Sequence, residues 1–202
     1  MNNAEINKES DLWMNFISGD DNAYSLLYKT FANEMFNFGL HFTPSRDTVK
    51  DCIQDVFIKI YGNRRKLTPV KNVRVYLYTS LKHSLFDTFR KDMDHYQIDT
   101  IEPVFCADYS TEMDLIEIET LSTQRKLIAR MMETVTPRQR EVLYYRYEEE
   151  LSYEEIGELM QMNYQSVRNL IHRSILKLRA SFPEFSTLSL LSFLFCSKEI
   201  FL

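Results

Sequence analysis

The sequence predicts an all-α protein: two small helical domains joined by an acidic linker, the C-terminal one a helix-turn-helix. Three observations predict it. Apolar residues recur at intervals of three and four through most of the chain. Only four Gly and five Pro punctuate 202 residues, so long uninterrupted elements are expected. No convincing segment alternates apolar and polar residues as a half-buried strand does.

Leu12, Trp13, Phe16 and Ile17 suggest a first short helix. Gly19, Asp20 and Asp21 break it and cap a second, whose apolar stripe is Ala23, Leu26, Leu27, Phe31, Met35, Phe38 and Phe42. Pro44 and Ser45 mark the next turn. Val49, Cys52, Ile53, Val56, Phe57 and Ile60 line a third helix ending near Gly62. A basic loop from Asn63 to Asn72 leads to a fourth, marked by Val73, Tyr76, Leu77, Leu81, Leu85 and Phe89. These helices delimit a first domain, residues 1–91. Residues 92–121 are acidic and weakly periodic, as a linker is. The second domain, residues 122–181, begins with a helix marked by Leu127, Ile128, Met131 and Met132. A second starts at Thr136, Pro137 and Gln139, with Pro at the first helical position and a capping box. Residues 182–202 form an apolar tail whose Leu188–Phe195 run is too short to cross a bilayer. It can fold back on the second domain, dock on a partner or touch a membrane.

The segment from Leu151 to Arg179 carries the clearest functional signal. Ser152 and Glu155 form a capping box opening one helix. Gly157 sits where a missing side chain lets a second helix approach. The turn falls at Gln161, Met162 and Asn163, with Asn163 as N-cap of the next helix. There Val167, Leu170, Ile171, Ser174, Ile175 and Leu178 face inward, and Gln165, Arg168, Asn169, His172, Arg173 and Lys177 face outward. The outer side chains are of types that reach base edges and phosphates in a major groove. Helix pairs with polar outer faces also occur as plain packing units, but those mix charges. Leu159 to Pro183 holds four bases and no acid.

A net charge of −5 looks wrong for a nucleic-acid binder until it is divided along the chain. Asp92 to Gln124 holds nine acids and no Lys or Arg, which more than accounts for the deficit. Ile58 to Lys91 holds nine bases and one acid. The average hides two cationic surfaces flanking an anionic connector. Cys52, Cys106 and Cys196 are odd in number and far apart, so neither a disulfide framework nor a zinc site is indicated. The polar N-terminus is not a signal peptide. His41, His83, His95 and His172 are dispersed. No nucleophile–base set, phosphate loop or metal spacing is found, so neither an enzyme nor a cofactor is expected.

Four segments together resemble the extracytoplasmic-function group of bacterial sigma factors, the promoter-recognition subunits of RNA polymerase. They are Gly19–Phe31, Asp51–Tyr61, Tyr76–Arg90 and Thr136–Met160 with the helix after it. The resemblance spans about Leu12 to Ala180. It implies that Asp51, Gln54 and Asp55, which share a helix face, dock on a coiled coil of the polymerase. It implies that the basic loop and fourth helix open the minus-ten region. There Arg64, Arg65, Lys66, Lys71 and Arg74 would hold a separated strand, and Tyr76, Tyr78, Lys82 and His83 are candidates for receiving a flipped base. Tyr76 is the one spaced as a core residue, which favours Tyr78 for this role. The family commonly has Asn where this chain has His83. On the last helix, contacts with the minus-thirty-five element fall on Arg168, Asn169, His172 and Arg173. The acidic linker would thread the RNA exit path. Implied partners are core polymerase, promoter DNA and an anti-sigma factor that can hold this cytoplasmic, nucleoid-associated protein at the membrane. A stand-alone regulator binding operator DNA is the rival reading.

Overall fold

A computed structural model describes residues 3–94, 105, 127 and 129–183, with side chains placed over 8–91, 105, 127 and 129–183. Every regular element among them is helical. The chain divides into two compact units, Met1–Pro103 and Val104–Leu202. Apart from Phe105, the acidic segment from residue 95 to 121 and the apolar tail beyond 183 lie outside the described residues.

The first unit holds α1 (Asn3–Ile17), α2 (Asp21–Leu40), α3 (Arg46–Asn63), a 3-10 turn (Arg64–Lys66) and α4 (Val73–Asp94). α1 is longer than the short helix its apolar residues suggest, because its polar N-terminal half contributes nothing to the periodic stripe. Gly19 takes φ +109, the left-handed backbone that ends α1. Asp20 then caps α2 by accepting from the Asn22 amide. Ser45 caps α3 through the Thr48 amide, and Asn72 accepts from the Val75 amide at the start of α4.

Trp13, Phe16, Leu27, Phe31, Met35, Phe38, Phe57, Leu77 and Leu81 fill the core. Each fully buried aliphatic or aromatic side chain contributes roughly 1.5–3 kcal/mol. Leu26 departs from the expected stripe and is 51 % exposed. Gly39 lets α2 and α3 meet closely: a Cβ there would lie 2.6 Å from Val49 Cγ1.

The second unit holds α5 (residues 129–134), α6 (Pro137–Tyr147), α7 (Tyr153–Met160) and α8 (Tyr164–Ser181). Both expected capping boxes form, Thr136 with Gln139 and Ser152 with Glu155. Asn163 caps α8 through the Ser166 amide. Gln161 closes α7 in the left-handed region at φ 52. Phe105, 2 % exposed, rests against Tyr144 and Tyr145 of α6 at 5.4 and 6.3 Å between ring centroids. Phe105 is thus part of the packing of this unit. Glu141 of the same helix is buried, and Tyr145 Oη one turn on donates to its carboxylate at 2.8 Å.

Candidate nucleic-acid interface

On α8, Val167, Leu170, Ile171, Ser174 and Leu178 are buried. Ser174 is tolerated there because its hydroxyl donates to the Leu170 carbonyl at 2.7 Å. Gln165, Arg168, Asn169, His172, Arg173 and Lys177 are all exposed, so the six expected DNA-contact residues share one polar surface. Part of it is already ordered. Gln165 Nε2 donates to Asn169 Oδ1 at 3.2 Å, joining two amides into one unit. Arg173 Nε leans back toward the Asn169 carbonyl at 3.4 Å. The presenting angle of α8 is set by the turn, where the Met162 amide donates to the Gly157 carbonyl at 2.9 Å. The atom that requires Gly157 is the Met162 carbonyl oxygen in this turn, 2.7 Å from where a Cβ would stand; Val167 of α8 is 4.0 Å away.

The basic loop of the first unit is tethered at two points. Trp13 Nε1 donates to the Thr68 carbonyl at 3.1 Å. Arg64 donates to Asp21 at 2.7 Å with its guanidinium 5.0 Å over the Tyr61 ring, and Tyr61 Oη donates to the same carboxylate at 3.2 Å. Arg65, Lys66, Lys71 and His83 are exposed.

Three other residues expected at the minus-ten contact, Tyr78, Lys82 and Arg74, are drawn into the packing of the domain. Tyr78 is a core residue, 2 % exposed and stacked on Phe38 at 4.1 Å and 16°. Tyr76 is the less buried of the two tyrosines and meets Trp13 edge-on at 5.1 Å. Burial raises its hydroxyl pKa above the ordinary value. Lys82 is 9 % exposed, with its ammonium 5.8 Å from the Phe42 ring and 5.5 Å from Phe86. Arg74 Nε pairs with Glu34 of α2 at 3.3 Å and bridges the two helices. The reason is common to all three: α4 packs against α1, α2 and α3 together, so its buried face is wider than a single stripe and takes in positions that spacing alone leaves outside.

Asp51, Gln54 and Asp55 are exposed together on α3, while Cys52 and Ile53 between them and Val56 and Phe57 after them are buried. Ile58, 58 % exposed, continues that outer row. The alternation of burial gives a small acidic and amide patch with an apolar edge. Among the described residues no group of three or more His, Cys, Asp or Glu could hold a metal ion.

Residues 27–94 match the family described as Sigma-70 region 2, and residues 125–178 match Sigma-70, region 4. RNA polymerase sigma factor YlaC of Bacillus subtilis (strain 168) is 26 % identical over 153 residues, covering 76 % of this chain and 88 % of that protein. ECF RNA polymerase sigma factor SigM of the same organism is 22 % identical over 156 residues, covering 76 % and 91 %. Among solved structures, CnrH in complex with the cytosolic domain of CnrY superposes with a TM-score of 0.57 at 17 % identity, covering 88 % of this chain and 99 % of that one. The sigma factor RpoE in complex with the anti-sigma factor NepR, from Bartonella quintana, gives 0.56 at 16 % identity, covering 78 % and 94 %. The chain belongs to the sigma-70 family, in its extracytoplasmic-function group. It binds core RNA polymerase and promoter DNA and directs transcription initiation.

Proposed function

We propose a division of labour within this sigma factor. The first domain, residues 1–91, docks on polymerase through Asp51, Gln54 and Asp55, an acidic face suited to a basic helical partner. Arg65, Lys66 and Lys71, with Arg64 released from Asp21, hold the phosphates of the opened minus-ten region, and His83, exposed on α4, joins in the same contact. The domain at 122–181 reads the minus-thirty-five element. Arg168 and Arg173 suit guanine and Asn169 suits adenine, each pairing being worth about 1–3 kcal/mol of discrimination. Residues 92–121 connect the two domains. The observation that carries this reading is the α8 surface, where six exposed side chains of base- and phosphate-contacting types stand on one face with no acid between Leu159 and Pro183.

In this reading the protein supplies no catalytic group and acts in the cytoplasm, where its polymerase works. No described helix is long and apolar enough to cross a membrane. An anti-sigma factor covers these surfaces between signals; support comes from the RpoE relative, captured with its anti-sigma factor NepR. Run-off transcription with purified core polymerase tests the proposal. Initiation at specific promoters should require this protein, and Arg173→Ala should weaken use of the upstream element while core association persists. Tight operator binding without polymerase, and no initiation with it, would favour the stand-alone regulator instead.

A further inference from the structure

Tyr164 opens α8 and is 48 % exposed. Its ring is nonetheless held. It meets Tyr153 edge-on, with 5.4 Å between ring centroids. Tyr153 in turn lies under the Arg146 guanidinium at 5.2 Å. Arg146 is fixed by a 2.9 Å hydrogen bond to the Leu151 carbonyl. α6, α7 and α8 thus each give one side chain to a stack that ends in the Tyr164 ring.

The stack ends at an informative place. Tyr164 stands one turn before Arg168, at the N-terminal rim of the polar face. When a helix of this kind enters a major groove, its first residues lie nearest the bases and the preceding helix crosses the backbone. A phosphate therefore passes close to the junction of α7 and α8. The acids in the first turn of α7, Glu154 and Glu155, repel that phosphate. A neutral donor at the start of α8 meets it without adding to that repulsion. A tyrosine hydroxyl is a hydrogen-bond donor of the kind found on phosphates. A ring with two side-chain torsions, already packed, loses little freedom on binding.

We propose that Tyr164 is a further DNA-contact residue: its hydroxyl donates to a backbone phosphate beside the bases met by Arg168 and Asn169. Tyr153 and Arg146 are positioning residues that hold the ring in place. The inference rests on the reading of α8 as the promoter-contact helix.

The test uses holoenzyme assembled from core polymerase and full-length protein, bound to promoter DNA carrying the upstream element. Tyr164→Phe keeps the stack and removes the hydroxyl. It should weaken binding about tenfold, the size of one hydrogen bond to a charged group, by the same factor on matched and scrambled upstream elements. Ethylation interference should lose one phosphate position with this variant. Tyr153→Leu should lose that same position while the thermal midpoint and core association stay as in the parent. Arg168→Ala serves as reference. If it weakens binding while Tyr164→Phe binds as tightly as the parent with an unchanged ethylation pattern, the Tyr164 inference is wrong and the α8 reading stands. If Arg168→Ala and Tyr164→Phe are both silent, the α8 reading falls with it.

Discussion

The α-carbon of Gly157 faces the carbonyl oxygen of Met162, and any Cβ at position 157 would lie 2.7 Å from it. The Met162 amide closes the same turn on the Gly157 carbonyl at 2.9 Å. One backbone contact thus fixes the angle between the two helices of the DNA-reading motif. Gly157→Ala must push this turn open, because a carbonyl cannot move aside as a flexible side chain can. The expected cost is about 2 kcal/mol, as for an overpacked interior site. Urea unfolding should show the loss, and transcription from promoters that depend on the upstream element should fall while core association stays intact.

Cations that hold phosphate separate experimentally from those that hold the fold. Arg65, Lys66 and Lys71 are exposed, and replacing any one with Ala should leave stability within about 0.5 kcal/mol. Each loss should reduce the salt dependence of open-complex formation by somewhat less than one released counterion. Arg74→Ala should behave differently. It breaks the bridge to Glu34 and should cost about 1 kcal/mol of stability, the upper end for a partly exposed pair. Chemical unfolding of the four variants, beside salt titrations of promoter opening, checks the distinction.

The acidic face of α3 gives a third expectation. Asp51 and Asp55 are exposed, so Asp51→Lys with Asp55→Lys should fold normally. Charge reversal opposite a basic partner should slow association and reduce core affinity by at least about tenfold. Binding titrations with labelled core polymerase read the effect directly. Unchanged affinity would move the docking site elsewhere.

His41 supplies a pH dependence. Burial lowers its pKa from 6.5 to about 4. The unfolded chain takes up this proton near 6.5, the folded chain only near 4. Between those values the unfolded state binds more protons, so stability falls as pH falls through the window. The group can account for up to about 3 kcal/mol across it. His41→Gln should flatten the stability profile between pH 6.5 and 4, measured by unfolding at a series of pH values.

What the chain declares locally, it declares reliably. The capping boxes at Thr136 and Ser152, the cap at Asn163 and the polar face of α8 rest on groups three or four residues apart. Their hydrogen bonds are closed within a single helical turn, so sequence order and spatial order coincide. The two cationic stretches are equally visible, because charge needs no fold to be counted.

The fourth helix shows where that stops. Spacing marks Tyr76 as the core residue and leaves Tyr78 outside, yet Tyr78 stacks on Phe38, forty positions earlier in the chain. Arg64 is engaged by Asp21, Arg74 by Glu34 and Lys82 by Phe42, each partner carried on or just after α2. The sequence by itself determined the helices, their caps and the charge of each surface. Only the tertiary structure decided which cations and aromatics face outward. That choice depends on how many neighbouring helices enclose a given face, and helical periodicity reports direction around an axis without reporting what stands there.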